Sequence, residues 1–266
     1  MTIASRIFLV LGLCLIFSAS ASGWTLLSPD KYGRVTIDNF SLKAGLPPVR
    51  FDHWLHRAVY TCRLCHVDIG FAMEKNETKI TAEANSKGFY CGACHNGIRT
   101  FKDRKIFASC WTRLGTAEEK KRCDRCHIGA KTESQQNDYA SFTAKLPRET
   151  SGNFIDWEKA EAESLIMPVD YLDGISVKRK PMKAQEDFSI TSQSTWMSDI
   201  IFSHKKHILW NGCEVCHPDI FPSVKKNTHS YSMLDISSGQ YCGVCHGRVA
   251  FNLNFCERCH SKPVGP

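Results

Sequence analysis

Six times in this chain, two cysteines stand three positions apart with a histidine directly after the second. The copies are Cys62/Cys65/His66, Cys91/Cys94/His95, Cys123/Cys126/His127, Cys213/Cys216/His217, Cys242/Cys245/His246 and Cys256/Cys259/His260. They use twelve of the fourteen cysteines and leave only Cys14 and Cys110. C-x-x-C-H is the attachment signature of c-type haem. Two thiols at this spacing reach the two vinyl groups on one porphyrin edge. The adjoining histidine then lies under the ring and binds the iron on its proximal face. The pattern therefore calls for six covalently attached haem c groups. A zinc ribbon pairs C-x-x-C units but does not need a histidine after every second cysteine. A redox dithiol accounts for one copy and not for six. Disulfides favour longer closed loops and varied spacing.

The compartment agrees with that chemistry. The chain opens MTIASRIFLVLGLCLIFSASASGW, with Arg6 before an apolar run from Ile7 to Phe17 and then Ala19-Ser20-Ala21. This reads as a secretory leader over 1–21, too short to span a bilayer. Cys14 follows Leu13, a poor match to a lipoprotein cleavage site. The mature chain from Ser22 is expected to be exported and not membrane-spanning. The periplasm is the expected location, with the cell exterior as the alternative. Free thiols in an oxidising compartment need a reason to be there. For Cys110, intermolecular pairing and a buried free thiol both stay open.

The motifs sit inside a longer repeat. Residues 51–66 read FDHWLHRAVYTCRLCH and residues 202–217 read FSHKKHILWNGCEVCH, at an offset of 151. GFYCGACHNGIRTF (88–101) matches GQYCGVCHGRVAF (239–251), and Cys91 to Cys242 keeps the same offset. The third motifs, CDRCH and CERCH, fall out of register because the first half carries extra residues, roughly 102–121. The map is therefore a leader at 1–21, a three-haem unit at 22–130, a linker segment at 131–190 and a second unit at 191–266. Eleven histidines occur, and the five that are not in motifs are His53, His56, His204, His207 and His229. His53/His56 and His204/His207 are spaced to lie on one side of a helical turn, from which they can reach two different irons.

A chain with F-x-H-x-x-H followed by three C-x-x-C-H motifs, twice over, resembles the class III low-potential multihaem cytochromes c. It is most like their three-haem branch and the tandem proteins built from it. The resemblance covers roughly 51–127 and 202–260. It implies that His53 and His204 bind the haem of the first motif in their half. His56 and His207 would bind that of the second. At the third haem the pattern departs from all-histidine ligation, since five histidines cannot serve six distal faces. In the second half His229 is the candidate and Met233 its rival. In the first half the position aligned with His229 is Thr78, and Met73 is the nearest soft ligand. An open or water-bound iron is the remaining option. A methionine ligand would raise that haem's potential. The resemblance further implies electron transfer between mostly bis-histidine haems in respiratory or extracellular chains, with no substrate turnover. The partners would be redox proteins, such as an inner-membrane quinol-linked donor or an outer-membrane acceptor. A multihaem reductase with one open or weakly ligated haem is the rival class. Self-assembly, with a neighbouring chain lending a ligand, is a third reading.

Residues 22–266 leave about 41 residues per haem, too few for ordinary secondary structure to form the main core. The expected fold is mainly irregular, with short α-helices around the haem sites and few or no β-strands. Phe51, Phe202, Tyr90, Tyr241, Phe101 and Phe251 recur beside the motifs and are expected against porphyrin faces. Within the linker, KTESQQNDY reads as a loop, and Asp156 is placed to cap a helix over 157–166. VKRKPMK (177–183) reads as a solvated basic loop, with an acidic docking partner as the alternative. The net charge of +7 is no argument for nucleic acid: loss of Arg6 with the leader leaves +6, and twelve propionates would make the loaded protein acidic.

Overall fold

The structure, a computed structural model, describes residues 27–101, 103–109, 121–128, 139–180, 183, 185–222, 225 and 228–262. The leader, Cys14, Cys110 and the loop from 131 to 138 lie outside the described residues.

Short elements alternate with long irregular stretches. Strands β1 (Arg34–Ile37) and β2 (Val49–Asp52) form an antiparallel ladder in which Arg34 faces Asp52 and Ile37 faces Val49. Alternating Val35 and Ile37 suit a half-buried strand. The chain then enters helix α1 (His53–Arg57). Asp52, at the junction, is 8% exposed. It is held by Arg34 Nε at 2.7 Å and Arg50 Nε at 3.5 Å. Helix α2 (Ala82–Ser86) precedes the second motif. Strands β3 (Thr100–Phe101) and β4 (Arg104–Lys105) make a small exposed hairpin.

Helices α3 (Tyr139–Thr143) and α4 (Trp157–Ala162) belong to the middle segment. Asp156 Oδ1 accepts from Lys159 N at 2.9 Å and caps α4, a common way to satisfy a first-turn amide. The helix expected to reach 166 stops at Ala162. Ser164 takes a left-handed φ of 56°, and Leu165 N closes back on Ala160 O at 2.9 Å. This Schellman-type closure turns Ile166 inward, where it is 7% exposed.

The second half repeats the opening of the first. Strands β5 (Phe188–Ile190) and β6 (Ile200–Phe202) pair antiparallel, and helix α5 (His204–Asn211) follows. Helix α6 (Met233–Ser237) carries a capping box, with Ser232 and Asp235 each bonded to the other's amide. Six strands of two to four residues in three two-stranded ladders, with three isolated bridges, make up the β structure among the described residues. No helix among them is long and apolar enough to cross a membrane.

The core is where the two halves meet the middle segment. Trp54 and Ala58 of the first half and Trp210 of α5 pack with Leu146, Ile155, Trp157, Ala160 and Ile166. Trp54, Ile155 and Ala160 are at most 1% exposed. Arg57 lies over the rings of Trp157 and Trp210, at 4.5 and 5.2 Å. The segment read as a linker thus supplies most of this protein-only core.

Candidate functional site

The cysteines and histidines of the motifs are carried on tight turns. Leu64–Asp68, Tyr90–Ala93, Tyr241–Val244 and Cys256–Arg258 are each a single short helical turn. In five motifs the turn is closed by the histidine amide bonding to the first cysteine's carbonyl: His95 N to Cys91 O at 2.8 Å, with the same bond at His127, His217, His246 and His260. Tyr90 and Tyr241, just before the second motif of each half, both adopt left-handed φ, 48° and 50°. Such strain in a non-glycine residue costs on the order of 1–3 kcal/mol, and here it recurs at the 151 offset.

In the third motif of the first half, residues 121–123 are helical, so Cys123 stands on a helix end. Cys126 lies in a turn and not in a helix. Its amide bonds Cys123 O at 3.0 Å, while its carbonyl accepts from Arg50 N of β2 at 3.1 Å. Ile128 N likewise bonds Pro48 O at 3.2 Å. The spacing of Cys123, Cys126 and His127 is kept, but β2 holds them.

Glycine is required at the second motifs. A Cβ on Gly92 would stand 1.8 Å from Asn85 O, and one on Gly243 would stand 1.8 Å from Ile236 O. The second motif of each half therefore packs its backbone directly on the end of the helix before it, α2 or α6.

None of the twelve motif cysteines forms a disulfide. Cys62, Cys65, Cys91, Cys94, Cys123, Cys126, Cys213, Cys216, Cys242, Cys245 and Cys259 are half-buried, and Cys256 is exposed. Burial pushes the thiols of Cys65 and Cys245 up to about 12 and those of Cys216 and Cys242 up to about 11. They are uncharged at neutral pH, unlike the thiolates of redox dithiols. Among the described residues no three His, Cys, Asp or Glu side chains converge as a zinc site would need.

The histidines are oriented by backbone carbonyls. His53 Nδ1 meets Gly33 O at 2.6 Å, and His56 Nδ1 meets Asp52 O at 3.2 Å. His204 Nδ1 meets Glu186 O at 3.2 Å, and His207 Nδ1 meets Ser203 O at 2.8 Å. In the motifs, His66 bonds Phe71 O, His127 bonds Pro47 O, His217 bonds Phe221 O and His260 bonds Ser198 O, all through Nδ1. A carbonyl can only accept, so Nδ1 carries the proton and Nε2 keeps its lone pair for a metal. His95 and His246 differ: each buried Nδ1 makes no bond as well aligned as these, although the backbone of Phe107 acts as a partner to His95 and that of Phe251 to His246. Phe107 lies 4.4 Å from the His95 ring and Phe251 lies 4.2 Å from the His246 ring. Arg125 and Arg258, from the third motifs, cover those phenylalanines at 4.7 and 4.1 Å. Phe107 takes the place expected of Phe101, which lies instead in the β3–β4 hairpin and is 37% exposed. Burial lowers the pKa of His53, His95 and His246 to about 4, so these rings are neutral at pH 7.

Three pairs of rings face each other across a gap. His53 and His66 lie 6.4 Å apart between ring centres and 5° from parallel. His56 and His95 are 6.3 Å apart, and His207 and His246 are 6.2 Å apart. A ring nitrogen binds a metal at about 2 Å, with the ring centre about 1.2 Å beyond, so two imidazoles on opposite faces of one iron stand about 6.4 Å apart. The side chains present fit a bis-histidine haem iron. The pairs join His53 to the first motif of its half, and His56 and His207 to the second motif of theirs.

The remaining candidates are placed differently. His204 packs on Phe188 and Phe202, and His217 on Phe221, with no ring contact between the two histidines. His229 is exposed. Its Nε2 is engaged by the Tyr241 hydroxyl, and its ring lies against Tyr231 and Tyr241. Met233 opens α6 and is 53% exposed. Met73 is half-buried. Tyr241 as the partner of His229 left no trace in the spacing pattern. The second-motif phenylalanine stack has a sequence signal in Phe251, but not one that locates Phe107.

A family model described as cytochrome c7 and related cytochrome c matches residues 49–136 and 200–261, more than half of the chain. Solved structures similar to it include a c7-type three-heme cytochrome domain, 30% identical, which matches 30% of this chain and 99% of its own with a TM-score of 0.27. The C-terminal hexaheme fragment of GSU1996 is 21% identical over 86% of this chain and 96% of its own, with a TM-score of 0.26. The dodecaheme cytochrome c GSU1996 is 22% identical over 91% of this chain and 52% of its own, again at 0.26. No curated protein sequence matches.

Proposed function

The chain belongs to the family of cytochrome c7 and related cytochrome c, and we propose that it carries electrons on six haems, one at each C-x-x-C-H motif. The motifs fall into two three-haem units, 22–130 and 191–266, joined by 131–190. When bound, haem supplies a one-electron ferric/ferrous couple. The chain's part is to bind, orient and shield. Each cysteine pair would tie one haem by two thioether bonds. His66, His95, His127, His217, His246 and His260 would each hold the iron of their own motif. His53 and His56 would be the second ligands for the first and second motifs, and His204 and His207 would do the same in the second half.

The observation that supports this reading is the three facing imidazole pairs at 6.2–6.4 Å. His53, His56, His66 and His207, fixed by Nδ1 bonds, would need little rearrangement when the iron changes charge. Two nitrogens on one iron leave no position for a substrate, which argues for a carrier and not an enzyme. At the third motifs, His229 or Met233 would serve opposite His260, and Met73 opposite His127. His229 must first release Tyr241. The partners would be redox proteins, an inner-membrane quinol-linked donor or an outer-membrane acceptor. The protein would be exported, to the periplasm or beyond, and act in respiratory or extracellular electron transfer.

A redox titration followed by low-temperature electron paramagnetic resonance tests the proposal. It should resolve low-spin bis-histidine signals from at least the three facing pairs. Mainly high-spin irons would overturn it. A second reading draws on the engagement of His229 by Tyr241: one third-motif iron left open would allow a reductase. Carbon monoxide binding at one site per molecule would favour that reading.

A further inference from the structure

We infer that electrons cross between the two halves where their opening motifs touch, rather than from the third motif to the fourth in chain order, and that Arg179 holds this crossing closed. The inference rests on the electron-carrier reading above.

The contact is built from both motifs. Arg179 Nη2 donates to Asp68 Oδ1 at 2.6 Å, and its Nε donates to Glu214 Oε1 at 2.5 Å. Asp68 lies two residues beyond His66, and Glu214 lies between Cys213 and Cys216. One guanidinium therefore joins the first motif to the fourth. The Asp68 side chain is fully buried, and its Oδ2 has no hydrogen-bond partner. Arg63, inside the first motif, pairs with Asp170 and lies directly against the fourth. A Cβ on Gly212 would come 2.5 Å from Arg63 Cδ, and Gly212 has φ 61°. Nearby, Arg57 Nη1 donates to Val249 O at 2.9 Å and Tyr32 Oη donates to Ala250 O at 2.5 Å. These two bonds fasten α1 and the chain before β1 to the loop after the fifth motif. The thiols of Cys62, Cys216 and Cys245 come near enough to influence one another, although burial is the larger cause of their raised pKa values.

The third motif of each half is fastened elsewhere. His127 bonds Pro47 O and pairs with Val49 in its own half. His260 bonds Ser198 O and Lys262 pairs with Asp199, again in its own half, while Arg258 pairs with Glu149 of the middle segment. Spatial order thus departs from chain order. The proposed step moves one electron: the iron that gives it goes from ferrous to ferric, the iron that receives it from ferric to ferrous, and no bond forms or breaks.

Arg179 suits the clamping role because a guanidinium fork serves two carboxylates at once, which a lysine ammonium cannot do with the same geometry. Without it, Asp68 is a buried carboxylate with no counter-charge, and the structure must open to water to relieve it. The part is one of positioning. Arg179 sits in the basic run read from sequence as a solvated loop, and it is the member of that run with two acidic partners.

The test is an NMR-monitored redox titration of the loaded, full-length protein, with each haem's signals assigned to its motif and site–site interactions extracted. The largest interaction between halves should join the first-motif site to the fourth or fifth. In Arg179→Gln that interaction should fall by about half as the sites move apart, with interactions inside each half unchanged. A largest cross-half interaction between third and fourth motifs overturns the inference. An unchanged one in Arg179→Gln overturns the clamp. Should that variant fail to fold, the ordering in the unaltered protein decides the crossing and Glu214→Gln decides the clamp. An absence of redox interactions anywhere would sink the carrier reading itself, a distinct result.

Discussion

His95 and His246 differ from the other motif histidines at one atom. Their buried Nδ1 groups have only a poorly aligned backbone partner, at Phe107 and Phe251, while His66, for example, donates to Phe71 O at 2.9 Å. An Nδ1 bond to a carbonyl makes an imidazole a stronger donor to its metal and favours the ferric state. The second-motif sites should therefore titrate at more positive potentials than the first-motif site of the same half. Site-resolved potentiometry checks the order, and a reversed order contradicts the assignment. Histidine burial also sets a pH dependence. Burial, opposed by the bond to Gly33 O, holds His53 down to about 4 from 6.5. Between these values the unfolded chain binds a proton that the folded chain refuses. Stability should thus fall as pH drops across that window and level off above it. Thermal melts taken inside and above the window would show it as a lower Tm at the acid end. The motif cysteines and candidate ligands were legible in the sequence because attachment chemistry demands fixed spacing. The local backbone around them was less so: Cys126 keeps its spacing from Cys123, yet a strand far back in the chain captures its carbonyl. The claim of Tyr241 on His229 was not legible either, since a hydrogen bond between side chains on a folded loop has no required offset.

At the scale of elements, the two halves are copies in their backbone as well as their motifs. Strand ladders deliver His53 and His204 to the start of α1 and α5, and α2 and α6 press on the second motif. The glycines allow that contact. Gly243→Ala would drive a Cβ to 1.8 Å from Ile236 O. The obstacle is backbone, so α6 must shift. The substitution should cost about 1–3 kcal/mol, the usual range for overpacking, as read by denaturant unfolding, whereas a loss near zero would mean that the two segments are not packed. The repeated C-G-x-C-H was visible in the sequence, but its reason was not, because the opposing carbonyl belongs to another turn. Phe101 shows a different limit. Alignment of the repeats pairs it with Phe251 once one residue is skipped, yet the β3–β4 hairpin diverts the chain there. Phe107 reaches the His95 ring instead. A repeat shows that residues have been inserted without fixing where the inserted chain leaves the common path.

The whole molecule is organised around a segment that looks like a connector. Its composition is polar, and the few apolar side chains it contributes find partners far away in sequence: Trp157 and Ile155 pack with Trp54 of the first half and Trp210 of the second. Local patterning could place a capped helix at Trp157 but could not reveal what it would pack against. Trp157→Ala should destabilise the loaded protein by about 3–5 kcal/mol, as for other buried aromatic truncations. The expected readout is a lower denaturation midpoint, and a midpoint unchanged would show that the middle segment is a tether after all. The protein-only core is small for a chain of 266 residues, so most of the apolar interior must come from the porphyrins. The most direct measurement is the intact mass of the exported protein under denaturing conditions, where ligated but unattached groups are lost. The account predicts a mass above that of the mature polypeptide by six haems. A mass equal to the bare polypeptide would contradict it.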